Sequence, residues 1–153
     1  MSNDDAALGS RSWLREALHL EAVQWRYLFE SLVLLPIIDV SLRCLGYART
    51  RSWLSRFSTR AKATINSHDS PDVARKIARM VSLAGRRSPW RTTCLRQGLL
   101  LWFFMARRGI RTELRLGVEK SVEGDLAAHA WVERDGQVLI GGEYVQQRYV
   151  VLG

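Results

Sequence analysis

Cysteine, proline and acidic residues are all scarce in this chain. Its 153 residues include two cysteines, three prolines and 15 Asp plus Glu against 23 Lys plus Arg. Two cysteines exclude a disulfide framework. Neither Cys44 nor Cys94 sits in a Cys-x-x-Cys or Cys/His spacing, so no metal site is expected. With 25% charged and 47% hydrophobic residues, a disordered tract is excluded as well, and the length suits one domain with a core of its own. No GxxxxGK[ST] or GxGxxG run occurs, which leaves nucleotide cofactors without a site; no cofactor is expected. The opening MSNDDAALGS is acidic and lacks the basic-then-apolar layout of a signal peptide, so the cytoplasm is the expected setting.

A long hydrophobic run is missing too. The nearest approach, LVLLPIIDVSLRCL from Leu32 to Leu45, contains Pro36, Asp39 and Arg43. A span takes roughly 20 apolar residues and each mid-bilayer charge costs about 3 kcal/mol, so no transmembrane segment is expected. The favoured reading is a helix pair whose apolar sides face the rest of the fold. Association with a membrane surface or an acidic partner is the alternative that the formal net charge of +8 supports.

The residues that are present fall into two parts, a helical N-terminal region over 1–68, packed on or docked beside a core over 69–153. In the first, Leu14, Leu18, Ala22, Trp25, Phe29 and Leu32 recur at helical spacing, with Arg15, His19, Arg26 and Glu30 on another side. Pro36 should kink or end that helix, Gly46 should close a second, and Trp53, Leu54, Phe57, Ala61 and Ile65 outline a third. In the second part, Ser70-Pro71-Asp72 starts a helix buried through Val73, Ile77, Met80 and Val81 and ended by Gly85. A basic loop with Trp90 in it follows. Thr92 or Thr93 then caps a helix that is apolar nearly all round and stops at Gly109. Beyond Ile110 the period shortens towards two, giving strands over 112–118, 127–134 and 137–140, an Asp135-Gly136 hairpin turn and a short last strand over 149–152. Helices followed by antiparallel strands make the fold class α+β.

Chemistry points first to Cys94. It lies in the first turn of a helix, where the partial positive charge favours a thiolate, where Arg91 and Arg96 would push the same way, and where free N–H groups can hold an oxyanion. His129 follows on a strand between two alanines; a cysteine on a helix end and a histidine on a neighbouring strand are a nucleophile-and-base layout. Cys44 reads as a small buried hydrophobe. Trp90 and Trp131 could line a substrate cleft or shield the imidazole, or simply pack.

Three blocks carry a resemblance. Ser-Pro-Trp-Arg-Thr-Thr-Cys-Leu (88–95), Arg-Arg-Gly-Ile-Arg-Thr-Glu-Leu-Arg-Leu-Gly-Val (107–118) and Ala-His-Ala-Trp-Val-Glu-Arg-Asp-Gly (128–136), in that order, resemble the transglutaminase-like leader peptidases of lasso-peptide biosynthesis. These are similar to the C-terminal domain of microcin-processing proteins. The resemblance implies a papain/transglutaminase-like core and a cysteine protease that cuts the leader from a ribosomally made precursor. It also implies a separate leader-recognition protein and a lasso cyclase as partners.

The third member of the triad departs from the family pattern. An acid is expected about twelve residues after the histidine, and Gly141 stands there. Asp135 in the hairpin turn would lie six residues along the strand from His129, roughly 20 Å away at ~3.3 Å per residue. Paired through that turn, His129 should face Gly142, and Glu143 could reach the ring; a backbone group, Gln146 or Gln147 is the alternative orienter. Glu133 reads as a solvated strand residue. Basic residues are spread along the chain without a nucleic-acid motif, so no nucleic acid is expected. A Cys-His acyltransferase and a non-catalytic basic scaffold are the competing functions.

Overall fold

The computed structural model describes residues 22–61, 71–88, 92–120, 126–142 and 144–152. Three helices come first: α1 (Ala22–Ala61), α2 (Pro71–Arg87) and α3 (Cys94–Arg107). The strands β1 (Glu113–Lys120), β2 (Leu126–Arg134) and β3 (Gln137–Ile140), the short α4 (Val145–Arg148) and β4 (Val150–Val151) follow. The strands form one antiparallel sheet in the order β3-β2-β1-β4. The class is therefore α+β, with a helical N-terminal part beside a small antiparallel sheet.

Helix α3 is the centre of the core. Leu99, Leu100, Leu101, Phe104 and Met105 are almost wholly buried, because α1 and α2 cover one side of the helix and β1 and β2 the other. That is the environment an all-round apolar helix requires. Ala74, Ile77, Ala78, Met80, Val81 and Ala84 form the inward stripe of α2. Gly85 does not end α2, which runs on to Arg87. Its lack of a side chain serves packing instead: a Cβ there would lie 2.4 Å from Nε2 of Gln97 on α3.

Helix α1 corrects two expectations. It does not end at Pro36; it breaks at Gly46, as expected, where a φ of 75° is left-handed and open to glycine at little cost. The stripe expected in the core also points outward: Trp25, Phe29 and Leu32 are 45%, 69% and 40% exposed, and the buried face is Tyr27, Ser31, Leu35 and Ile38. Both faces of α1 are apolar, so periodicity alone has two solutions. Polar anchors choose between them. Glu30 accepts from Arg107 at 3.1 Å, Tyr27 Oη accepts from Arg108 at 2.7 Å, and Asp39 pairs with Arg96, all on or just beyond α3. Residues 1–21 and Ile65 lie outside the described residues.

The hairpin forms as read, with Arg134 opposite Gln137 and Asp135-Gly136 at the turn, both at positive φ. A β-bulge between Val132 and Glu133 then shifts the register, so Val132 faces Ile140 where simple pairing would give Leu139. The shift sets Gly141, just past β3, against Trp131 of β2.

Candidate functional site

Cys94 is the first residue of α3, after Thr93 in extended conformation. The Thr93 hydroxyl makes no capping bond; its carbonyl accepts the N–H groups of Arg96 and Gln97 at 3.1 and 3.2 Å. Cys94 is half-buried, and the guanidinium of its neighbour Arg96 pairs with Asp39 of α1. Arg91 lies outside the described residues. Cys44 is exposed and not the buried hydrophobe expected.

His129 sits in β2 opposite Gly117 of β1, half-buried. Cys94 and His129 line one cavity of about 340 Å³, together with Ser82, Arg86, Gln97, Ala130, Ile140 and Gly141. Gln97 is one helical turn past Cys94 and so shares its face of α3. The space for it against α2 exists because residue 85 is glycine.

The imidazole is held from two sides. Its Nε2 is 2.7 Å from the carbonyl oxygen of Gly141. A carbonyl only accepts, so Nε2 carries the hydrogen and the lone pair of the neutral ring falls on Nδ1. The ring also stacks on Tyr149, centroids 5.1 Å apart and planes at 28°. Gly141 itself has φ of 123°, and a Cβ on it would stand 2.3 Å from Cβ of Trp131. The position at which an acid was expected thus has no room for a side chain, and its main chain supplies the acceptor.

Other sequence candidates are placed differently. Trp131, read as a cleft residue or as a packing one, is wholly buried and takes the packing role, 6.3 Å from Tyr149. Asp135 is at the hairpin turn, exposed and paired with Arg134. The Gln146 amide donates to Glu133 at 2.8 Å and to the Gly136 carbonyl, so it is not the orienter of His129. Trp90 and Glu143 lie outside the described residues. Sequence reasoning missed Tyr149 and Gln97. Gln97 was legible as the residue one turn beyond the cysteine, whereas Tyr149 reaches His129 only through the return of the chain after α4.

Glu133 is no solvated strand residue. Its side chain is 14% exposed and accepts from Arg115 Nε at 2.8 Å, Gln146 at 2.8 Å and Trp131 Nε1 at 3.3 Å. Desolvation opposes its charge, but the hydrogen bonds from Gln146, Arg115 and Trp131 and the Arg115 charge outweigh it, holding the carboxyl below its ordinary value of 4.5. A carboxyl depressed in the folded state stabilises that state above its unfolded pKa and stops doing so as pH falls through the folded one. The wild-type protein should therefore lose its melting-temperature advantage over Glu133→Gln as pH drops below 4.5, and keep it at neutral pH. Thermal scans of both proteins across the acid range measure this.

Among the described residues there is no cluster of metal-ligating side chains, and no helix is long and apolar enough to cross a membrane. Compared with known proteins, residues 36–153 match the family model described as Transglutaminase-like superfamily. No curated protein and no solved structure matches the chain.

Proposed function

Because the chain belongs to the transglutaminase-like superfamily, in general cysteine peptidases or acyltransferases, we propose that it is a cysteine endopeptidase that removes the leader from a ribosomally made lasso-peptide precursor. The observation that carries the enzymatic reading is the cavity shared by Cys94 and His129, with His129 tethered through Nε2 so that Nδ1 is left as the base. The specific role rests on the three sequence blocks that resemble lasso leader peptidases.

In this mechanism Nδ1 of His129 takes the Cys94 thiol proton as sulfur adds to the scissile carbonyl carbon. The Cys94 N–H at the start of α3 holds the developing oxyanion, and the Gln97 side-chain amide offers a second donor. The carbon–nitrogen bond then breaks, the imidazolium hands its proton to the departing amine, and the leader remains on sulfur as a thioester. Water, deprotonated by His129, releases the leader acid and restores the thiol. The Gly141 carbonyl is the main-chain orienter that the sequence left open beside Glu143, which lies outside the described residues. It fixes the tautomer without adding a negative charge beside the imidazolium.

The freed core peptide would pass to a separate cyclase, and the leader would be presented by a separate recognition protein; the cytoplasm is the setting of this scheme. Incubating enzyme, precursor and recognition protein and weighing the products tests it. Two fragments whose masses sum to precursor plus one water support hydrolysis. An adduct joined to an amine assigns acyl transfer instead, and an unchanged precursor overturns the enzymatic reading.

A further inference from the structure

We propose that the outward face of α1 lies in the plane of an anionic membrane surface, a function separate from the cavity and independent of what the cavity cleaves. Phe29, Leu32, Val33, Ile37 and Val40 are between 40% and 69% exposed and occupy successive outward positions of one helix. No charge interrupts them. Arg26 and Arg43 bracket the stretch, and at 1.5 Å per residue they stand about 25 Å apart. Beyond the Gly46 break, Arg49 and Arg56 are exposed, as are Trp53 and Phe57.

The sign of the charge selects the occupant. The two acids described on α1, Glu30 and Asp39, are each shared by two arginines: Glu30 by Arg107 of α3 and, at 3.4 Å, by Arg26, and Asp39 by Arg96 of α3 and, at 3.0 Å, by Arg43. Each group keeps a net positive charge, and Arg26 and Arg43 are its exposed members. An apolar stripe with tryptophan and cationic ends whose stems can reach up to phosphates is the composition of an interfacial helix. A second copy would bring arginine to arginine. A soluble protein partner would need a preformed apolar groove of its own to take these side chains. A bilayer surface needs no pocket. The helix lies on the membrane and does not cross it, in keeping with the absence of a spanning helix among the described residues.

Co-sedimentation of the full chain with vesicles tests this, using phosphatidylcholine containing phosphatidylglycerol against phosphatidylcholine alone. The protein should bind the anionic vesicles and bind the neutral ones much more weakly. Phe29→Ser with Ile37→Ser should lower the partition coefficient at least tenfold. Arg26→Gln with Arg43→Gln should lower it roughly 25-fold at low salt, about fivefold per arginine. In that second pair Glu30 and Asp39 keep Arg107 and Arg96, so the fold is retained, and circular dichroism checks it for both pairs. Absence of vesicle binding, or binding that neither pair alters, overturns the proposal. So does a concentration-dependent dimer, or a complex with the recognition protein, that forms without lipid and is lost in Phe29→Ser with Ile37→Ser.

Discussion

Cys94→Ala should reduce precursor cleavage by roughly 10⁴-fold or more, since removing a nucleophile leaves only binding and oxyanion stabilisation to act on the substrate. His129→Ala should cost a similar factor, and the double variant should be no slower than the slower single one, because the two groups act as a unit. Single-turnover cleavage at saturating precursor measures all three. Stability should scarcely change. Cys94 is half-buried and loses one small atom, and the core around Leu99 to Met105 is untouched. Cleavage by Cys94→Ala at the wild-type rate, with unfolding unchanged, would sink the protease reading.

Gly141→Asp should be the most destabilising change at the site, although it places an acid where the sequence led one to expect it. Its Cβ would stand 2.3 Å from Cβ and 3.0 Å from Cα of Trp131, the latter main chain and unable to step aside. The φ of 123° adds strain for any residue with a side chain. Overpacking and backbone strain each cost roughly 1–3 kcal/mol, for a total on the order of 3 kcal/mol. At about 2–4 °C per kcal/mol for a domain near this size, melting should fall by on the order of 10 °C. Activity should fall with it, since the carbonyl that holds His129 moves. A Gly141→Asp protein that melts as the wild type and cleaves faster would show that a carboxylate belongs there and that the carbonyl is not the orienter.

The two variants probe different kinds of information. The cysteine and histidine were legible because each sits in a local pattern: a threonine before an apolar helix, and an alternating strand before Asp-Gly. Those patterns depend on neighbours within a few residues, and they placed α3, β2 and the hairpin nearly as found. The orienter of His129 was not legible in the same way. It depends on a one-residue bulge between Val132 and Glu133, which no local propensity announces and which simple pairing through the turn mispredicts. Tyr149 reaches the imidazole only because β4 returns beside β1 after α4.

Helix α1 shows the same division at larger scale. Its helicity and the break at Gly46 were in the sequence; which side faced inward was not, because both sides are apolar. Three polar contacts to α3 and its end settled it. Sequence alone thus determined α3, the strands and their order, the α+β class and the two residues proposed for the chemistry, but not α4, the passage of α1 through Pro36 or the end of α2 at Arg87. Tertiary structure decided the facing of α1, the register beyond the bulge and the partner of the imidazole. Those outcomes turn on contacts between residues far apart in the chain, whose free energies are compared only once the core has closed.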